Sequence, residues 1–299
     1  MKLITYSHNG QSRAGALIND AVADLGDRYD SMLTLIEEGD LDEVRLQAEN
    51  AVPMAEPGEV KLKAPIPAPR RNLFCVGWNY LPHFDEGRGR REDQERDLPE
   101  YPTFFTKTTT TVTGPDSDIP FDPAFSEKID YEAELAVVIG RQGRSISAED
   151  AMEYVFGYTA ANDVTARDVQ RRHGGQWFKG KSMDQSCPMG PCIVTTEEIP
   201  DPQNLGIHCH VNGVEKQSSN TKHMYFPIAE LIAELSLGMT LLPGDILLTG
   251  TPEGVGMWRE PQEFLCPDDE VTVTVSGIGK LTNKVSELSL TRQESPHVT

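Results

Sequence analysis

The segment from 130 to 140 constrains the fold more than any other, because it is an apolar run whose beginning contains three carboxylates, Asp130, Glu132 and Glu134. Its β-branched triplet at 137–139 and closing glycine favour an extended strand over a helix. Side chains alternate along a strand, which places Glu132 and Glu134 side by side on one face. Bound Mg²⁺, Mn²⁺ or Ca²⁺ would relieve the repulsion between the two carboxylates. A strand with one solvated face explains the same spacing, so this pattern alone leaves the metal site open.

The acidic composition limits the partners of the chain. With 299 residues the sequence can form one large domain, or one large and one small, and its formal net charge is -20. Nucleic acid is an unsuitable partner, because phosphate binding requires a concentrated basic surface. A carboxylate-bearing ligand would need a local cation to hold it, either a metal ion or Lys and Arg side chains.

Neither export nor a membrane partner is expected. The segment 1–8 lacks the apolar core of a signal peptide, and no apolar run approaches the length of a membrane span. The five cysteines are scattered and contain no C-x-x-C pair, which argues against a disulfide framework and a zinc ribbon. The sequence therefore predicts a cytoplasmic protein with reduced thiols.

A small N-terminal α/β domain is predicted over residues 1–65. It contains three short strand patterns and two helical patterns, the latter over 32–36 and 41–51. The proline-rich stretch 65–69 is typical of a stiff, extended connector. A larger domain is then expected over 70–287, followed by a C-terminal tail over 288–299.

His83 and Glu86 form a candidate general base. If a helical turn starts near Pro82, the two residues are three apart and share a face, where the carboxylate orients the imidazole and raises its basicity. A surface His–Glu pair accounts for the same spacing. The stretch 87–100 is almost entirely charged, which predicts a mobile excursion that is either a lid or an inert solvated loop.

A second polar group follows a predicted buried strand at 156–161. Before that strand, a capping-box pattern predicts a helix over 147–155. After it, a helix would place Asp163, Arg167 and Gln170 on one face, at i, i+4 and i+7. These side chains would converge where a strand ends, although an ordinary exposed helix has the same spacing.

Two glycine-containing loops complete the set of candidates. Gly180 would let the backbone approach a ligand closely beside Lys181, whereas the alternative is a solvated loop lysine. The loop 250–256 contains neither a dinucleotide pattern nor a phosphate loop. Its glycines instead predict a tight loop that presents the Thr251 hydroxyl or backbone amides.

Strand signals dominate the C-terminal third. The pair 212–213 is Asn-Gly between two strand patterns and predicts a hairpin. Further strands are predicted over 246–249, 271–275 and 281–285, the last two pairing with each other.

These segments, in this order, resemble the fumarylacetoacetate hydrolase family over residues 70–285. The resemblance implies an α+β, β-rich fold with a mixed β-roll catalytic domain, usually in a homodimer. It is based on Val76-Gly77-x-Asn79-Tyr80-x-x-His83-x-x-Glu86, Asp130-Tyr131-Glu132-x-Glu134-Leu135, Asn162-Asp163-x-x-Ala166-Arg167-Asp168-x-Gln170, Gly180-Lys181-Ser182, Pro243-Gly244-Asp245-Ile246 and Thr249-Gly250-Thr251-Pro252-x-Gly254-Val255-Gly256.

The resemblance also assigns roles to individual residues. It implies an Mg²⁺ or Mn²⁺ site, a histidine-bearing lid and groups that hold the substrate or its oxyanion. The metal ligands would be Glu132, Glu134 and Asp163; the catalytic residues His83, Glu86 and Lys181; and the substrate-binding residues Arg167, Gln170, Gly250 and Thr251.

The expected reaction follows from one departure of this sequence from the pattern of the larger members of the family. The larger fumarylacetoacetases have a fourth carboxylate ligand upstream of their histidine, whereas residues 72–80 contain no acid. This departure favours the smaller acylpyruvase and decarboxylase branch. The expectation is a metal-dependent hydrolase of aromatic catabolism, which cleaves a C–C bond of an acylpyruvate to give pyruvate and a carboxylic acid. Oxaloacetate decarboxylation, tautomerisation, isomerisation or hydration of 2-hydroxydienoates, and a non-catalytic metal-binding protein are the alternatives.

Overall fold

The structure is a computed structural model that describes residues 1–19, 21–51, 55, 59–90 and 97–288. Its described strands are β1 (Lys2–His8), β2 (Gln11–Ile18), β3 (Ala21–Asp24), β4 (Lys61–Leu62), β5 (Leu73–Gly77), β6 (Thr103–Lys107), β7 (Val112–Thr113), β8 (Ile119–Phe121), β9 (Ile129–Asp130), β10 (Ala133–Ile139), β11 (Gly143–Arg144), β12 (Val155–Asn162), β13 (Thr165–Ala166), β14 (Cys187–Thr195), β15 (Gly206–Val211), β16 (Val214–Asn220), β17 (Thr240–Leu241), β18 (Ile246–Leu248), β19 (Glu270–Val275) and β20 (Gly279–Glu287). The described α-helices are α1 (Met32–Glu38), α2 (Leu41–Asn50), α3 (Leu81–Glu86), α4 (Arg167–Arg172), α5 (Phe178–Lys181) and α6 (Ile228–Ser236).

Two sheets organise these elements. The larger has the strand order β3-β2-β1-β14-β12-β10-β18-β5-β6, with β4 and β7 attached beside it. The smaller has the order β16-β15-β19-β20-β8. Strand β10 pairs antiparallel with β12 and β18, and β18 pairs parallel with β5. The sheets are therefore mixed, and the predicted β-rich α+β class is confirmed.

Strand β10 is buried along its whole length because it lies between two hydrophobic layers. On one face, Leu135 and Val137 belong to a core shared with strands of the smaller sheet. On the other face, Ala136 and Val138 share a core with Leu35 of α1. The alternative of a strand with one solvated face is therefore wrong.

The N-terminal segment joins the same large sheet. Lys2 of β1 is opposite Val194 of β14, so the chain start pairs with a strand from the second half of the sequence. The three predicted strands and two predicted helices are present, and Ser31 caps α1 by accepting a hydrogen bond from the Thr34 N–H. The boundary near 65–70 stays a prediction. The predicted tail lies outside the described residues from 289 onward.

Two helix predictions are wrong in detail. Ser147 Oγ accepts the hydrogen bond from the Asp150 N–H that the capping box predicts, yet only a 3-10 turn over Ala151–Tyr154 follows, because β12 begins at Val155. Asp163 does not lie on α4. Its N–H donates to the carbonyl oxygen of Glu132, and the short strand β13 then precedes the helix.

Two predictions of strand pairing are confirmed. Strands β15 and β16 form the hairpin at Asn212-Gly213, where both residues have the positive φ that such a tight turn requires. Strands β19 and β20 pair as predicted. The cysteines are free thiols. No helix among the described residues is long and apolar enough to cross a membrane. Part of the charged excursion predicted at 87–100 lies outside the described residues, at 91–96.

Candidate active site

Three carboxylates converge beside the central strand. Glu134 lies on β10, Glu132 lies in the short link that precedes it, and Asp163 directly follows β12. Because β10 and β12 pair with Ala133 opposite Asn162, the three acids meet at one end of the two strands. Each offers one oxygen within 4.8 Å of the others, and all three side chains are buried. The trio predicted as metal ligands is thus brought together.

Three buried cations surround this trio. The Nζ atom of Lys181 lies 2.6 Å from Glu132 Oε2 and 2.7 Å from Asp163 Oδ2. The Nη2 atom of Arg167 lies 2.7 Å from Glu132 Oε1, and its Nε donates to Asp130 at 2.8 Å. Lys181 is therefore not a solvated loop lysine, and Arg167 is not part of an ordinary exposed helix.

Lys107, at the end of β6, is the third cation, and sequence reasoning missed it. Its Nζ atom lies 2.8 Å from Asp163 Oδ1, and both side chains are fully buried. It also donates to the carbonyl oxygen of Val164 at 3.1 Å. The only signal in the sequence was a lysine that ends a β-prone segment.

The charges of the cluster leave room for a divalent cation. In the described chain, the buried carboxyl groups of Asp130 and the trio number four, against three buried cations, which gives a formal net charge of -1 when all four are ionised. Glu134 has no ion pair among the described residues and accepts a hydrogen bond from the Gly250 N–H at 2.7 Å. Burial and the charges of Asp163 and Glu132 raise its pKa well above the ordinary range. An all-oxygen donor set of this kind fits a hard divalent ion.

Glu132 has the opposite electrostatic balance. Burial raises the pKa of its carboxyl group, but Lys181 and Arg167 outweigh this effect and lower the pKa to about 2. Burial lowers the pKa of Lys181, but the negative charges of Asp163 and Glu132 outweigh burial and raise this pKa above its ordinary value. Glu132 is therefore an anion and Lys181 a cation within the site.

His83 and Glu86 form the predicted dyad on α3. The Nδ1 atom of His83 lies 2.6 Å from Glu86 Oε1, and Glu86 Oε2 accepts a hydrogen bond from the Gly254 N–H at 2.8 Å. His83 is buried and lines the same cavity as Glu132. The pair is thus an internal one, and the alternative of a surface pair is wrong.

Among the residues predicted to bind substrate, Arg167, Gln170 and Thr251 line this cavity. The Thr251 hydroxyl donates to the carbonyl oxygen of Ala133 at 2.9 Å and accepts from the Gln217 amide at 2.8 Å. Gly250 donates its N–H to a metal-ligand candidate instead of lining the cavity. Thr251 and Gly250 therefore hold the end of β10 in place.

An aromatic wall, which the sequence did not suggest, closes one side of the cavity. The Trp177 ring makes edge contacts with Trp78 at 4.8 Å and with Phe105 at 5.3 Å between centroids. Gly77 permits this packing, because a Cβ atom there would lie 2.2 Å from the Trp177 ring. Trp78 adopts φ 55°, which is unusual for a bulky residue and marks a locally strained backbone.

Gly180 approaches protein backbone, not a ligand. A Cβ atom at this position would lie 2.4 Å from both N and Cα of Gln170. Because backbone cannot yield as a flexible side chain does, we expect Gly180→Ala to separate α5 from α4 and to destabilise the protein by about 2 kcal/mol. Thermal unfolding should show a lowered Tm for Gly180→Ala and an unchanged Tm for the control Lys179→Ala, which alters the exposed neighbour. Equal Tm values for both variants would contradict the close contact.

Comparison with known proteins identifies the family. The model of the family described as fumarylacetoacetate (FAA) hydrolase C-terminal matches residues 72–286. The chain belongs to the fumarylacetoacetate hydrolase family. The resemblance drawn from the sequence motifs is therefore confirmed.

Two similar proteins of this family are named oxaloacetate tautomerases. Oxaloacetate tautomerase YisK of Bacillus subtilis (strain 168) is 48% identical over 227 residues, which are 76% of this chain and 73% of that protein. Mitochondrial oxaloacetate tautomerase Fahd2a of Rattus norvegicus is 44% identical over 257 residues, or 85% of this chain and 79% of that protein.

Solved structures of the family share the fold. The fumarylacetoacetate hydrolase of psychrophilic Exiguobacterium antarcticum has a TM-score of 0.85 at 37% identity, covering 96% of this chain and 100% of that one. The maleylpyruvate hydrolase of Sphingobium sp. SYK-6, solved in complex with manganese(II) ion and pyruvate, has a TM-score of 0.78 at 27% identity, covering 96% of this chain and 99% of that one.

Proposed function

We propose that this protein is a divalent-metal-dependent tautomerase, which interconverts the enol and keto forms of oxaloacetate or a closely similar 2-oxo acid. The observation that carries the proposal is the cavity that Glu132, Glu134 and His83 line together. Asp163 completes the buried carboxylate trio, and Glu86 is bound to His83. The names of the 48% and 44% identical relatives support oxaloacetate as the substrate. Metal plus a positioned base is the minimum that this proton transfer requires.

Glu132, Glu134 and Asp163 would hold the Mg²⁺ or Mn²⁺ ion. When bound, the ion acts as a Lewis acid that polarises the 2-oxo group. The homodimer implied by the family resemblance stays a prediction.

His83 moves the proton. Hydrogen bonding of Nδ1 to Glu86 holds the ring in the tautomer whose Nε2 carries the lone pair. In the keto-to-enol direction, Nε2 removes a proton from C3, that electron pair forms the C2–C3 double bond, and the C2–O π pair moves onto the oxygen. The imidazolium then gives the proton to this oxygen, which completes the enol and leaves the ring neutral. In the reverse direction, Nε2 takes the proton from the enol hydroxyl and the imidazolium returns it to C3. Glu86 stabilises the imidazolium, and the Gly254 N–H holds Glu86.

Lys181 and Gln170 stabilise the oxygen on C2. Both line the cavity and are buried, so their N–H donors act in a region of low dielectric constant, where they are stronger than in water. Lys181 is fixed by Glu132 and Asp163, so its ammonium group requires little reorganisation when negative charge develops.

A direct test follows the decay of enolic oxaloacetate by its ultraviolet absorbance. With Mg²⁺ or Mn²⁺ the protein should raise the first-order rate at least roughly hundredfold over buffer, the scale that general acid–base catalysis supplies. EDTA should remove the acceleration, and added Mn²⁺ should restore it. Pyruvate and CO₂ are measured in parallel. Their release at the rate of enol decay would overturn tautomerisation in favour of decarboxylation.

Acylpyruvate hydrolysis is the second candidate, and the His83–Glu86 dyad favours it, because the same base can activate a water molecule. The maleylpyruvate hydrolase with the shared fold supports it as well. The two candidates differ in their products. Hydrolysis gives pyruvate and a carboxylic acid from a panel of acylpyruvates, whereas tautomerisation leaves the carbon skeleton intact.

A further inference from the structure

Lys107 contacts the carboxylate trio from outside the active-site cavity. Its Nζ atom lies 2.8 Å from Asp163 Oδ1, and neither side chain is exposed to solvent. The described residues that line the cavity include Glu132, Glu134 and Lys181 but not Lys107. Lys107 is therefore not in contact with the space that a substrate would occupy, and its effect on the site must be transmitted through Asp163.

Backbone contacts fix both partners of this ion pair. Lys107 ends β6, where it lies opposite Leu73 of β5, and its Nζ atom donates to the carbonyl oxygen of Val164 at 3.1 Å. The N–H of Asp163 donates to the carbonyl oxygen of Glu132 at 2.9 Å. The ammonium group cannot follow the carboxylate if the carboxylate rotates. Rotation of Asp163 would therefore leave a buried ammonium group without its carboxylate, which is energetically costly.

Each carboxylate of the trio has one oxygen held by a donor other than Lys181. These contacts join Arg167 Nη2 to Glu132 Oε1 at 2.7 Å, the Gly250 N–H to Glu134 Oε2 at 2.7 Å, and Lys107 Nζ to Asp163 Oδ1 at 2.8 Å. One oxygen of each carboxylate is left to serve as a metal ligand, and the three acids can each offer one oxygen within 4.8 Å of the others. The trio is thus arranged to supply three single-oxygen ligands.

The number of oxygens that a carboxylate offers discriminates between divalent ions. Ca²⁺ takes about six to eight oxygens at about 2.3–2.6 Å and accepts both oxygens of one carboxylate as ligands. Mg²⁺ requires nearly octahedral geometry at about 2.0–2.1 Å and combines few carboxylate oxygens with water or substrate. Mn²⁺ likewise suits an octahedral set of oxygens. Three fixed single-oxygen ligands therefore favour Mg²⁺ and Mn²⁺, whereas a carboxylate that is free to rotate favours Ca²⁺.

We infer that Lys107 is a positioning residue, which holds Asp163 as a single-oxygen ligand and thereby makes the site select Mg²⁺ or Mn²⁺ over Ca²⁺. The inference rests on the metal binding contained in the proposed function and is independent of the reaction that follows. Among the three outer donors, Arg167 also lines the cavity and Gly250 acts through its backbone. Lys107 is the donor that can be replaced without altering a side chain of the cavity lining.

Competition with Mn²⁺ measures the ion preference. Free Mn²⁺ has an electron paramagnetic resonance signal that weakens when the ion binds protein, so displacement by Mg²⁺ or Ca²⁺ restores the signal. In wild-type protein, Mg²⁺ should displace Mn²⁺ at a lower concentration than Ca²⁺ does. Lys107→Met should shift the ratio of the Mg²⁺ and Ca²⁺ dissociation constants about tenfold or more in favour of Ca²⁺, the scale on which outer partners of metal ligands act. Because both ions carry the same charge, the lost lysine charge affects both affinities alike and cancels in this ratio.

Lys280→Met is the matched control, because it removes the same charge at an exposed position of β20 and should leave the ratio unchanged. Lys107→Gln keeps an N–H donor without the charge and should shift the ratio in the same direction, by less than Lys107→Met. An unchanged ratio in both Lys107 variants would overturn the inference. Tighter binding of Ca²⁺ than of Mg²⁺ to wild-type protein would overturn it as well, and this measurement decides the matter even if Lys107→Met does not fold.

The outcomes separate the role of Lys107 from the proposed reaction. If wild-type protein prefers Mg²⁺, Lys107→Met loses that preference and oxaloacetate is not tautomerised, the proposed reaction fails and the role of Lys107 stands. If oxaloacetate is tautomerised and both Lys107 variants keep the wild-type preference, the proposed function stands and the role of Lys107 fails. Wild-type protein that binds none of the three ions would contradict both.

Discussion

Glu134→Gln is expected to abolish the metal-dependent activity and to weaken Mn²⁺ binding by more than about a hundredfold, because loss of even an outer-shell partner costs a metal site 10- to 100-fold. Glu134 is the member of the trio without an ion pair among the described residues, and burial together with Asp163 and Glu132 already raises its pKa. A cation is therefore the group that stabilises its charged form. Calorimetric titration with Mn²⁺ and the enol-decay assay measure the two effects.

The same substitution separates metal binding from folding. The amide keeps the size of the side chain and an oxygen that can accept the Gly250 N–H, so the apoprotein should keep its Tm or become more stable as the carboxylate repulsion is removed. Glu149→Gln, a change at an exposed glutamate, serves as the control and should leave both measurements unchanged. Undiminished Mn²⁺ affinity in Glu134→Gln would show that the trio is not the metal site.

Local spacing predicted the parts of the site that lie within one element. Glu132 and Glu134 follow from alternation around β10, and His83 and Glu86 follow from a helical turn that starts near Pro82. In these cases the separation along the chain sets the separation in space. The structure brings together all the predicted metal ligands and places His83 in the cavity that Glu132 and Glu134 line.

Contacts between distant segments could not be predicted in the same way. Lys107 reaches Asp163 because β6 and β12 belong to one sheet, and no spacing within either segment indicates this pair. The Trp177 wall likewise depends on a glycine one hundred positions earlier in the chain, Gly77. Asp163 was expected on a helix, and its actual position is set by a hydrogen bond to Glu132.

The reaction is harder to predict than the site, because several reactions share the same requirements. Tautomerisation, decarboxylation and hydrolysis of a 2-oxo acid all need a metal ion and a stabilised enolate. The residues of the family motifs supply these shared requirements, so they identify the site and leave the reaction open.

His83→Gln is expected to lower kcat for enol–keto conversion by roughly 10²- to 10⁴-fold, which is the contribution of a positioned general acid–base group. Metal affinity should stay within about threefold of wild type, since His83 is not a member of the carboxylate trio. Glu86→Gln should give a smaller loss of kcat, because it weakens the orientation of the imidazole and leaves the base in place. The assay uses protein that has been pre-equilibrated with Mn²⁺, together with saturating oxaloacetate. Under these conditions kcat is measured without a contribution from metal binding or substrate binding.

The control for His83 is His223→Gln, which changes an exposed histidine at the end of a 3-10 turn and should leave kcat unchanged. The combination of a large kcat loss with intact Mn²⁺ binding distinguishes a proton-transfer role from a structural one, because disruption of the fold would lower both. If His83→Gln retained wild-type kcat, the cavity would still hold a metal ion, and proton transfer would have to depend on another group such as Lys181. Deuterium incorporation at C3 of oxaloacetate decides this point, since a variant without its base should exchange that hydrogen no faster than buffer does.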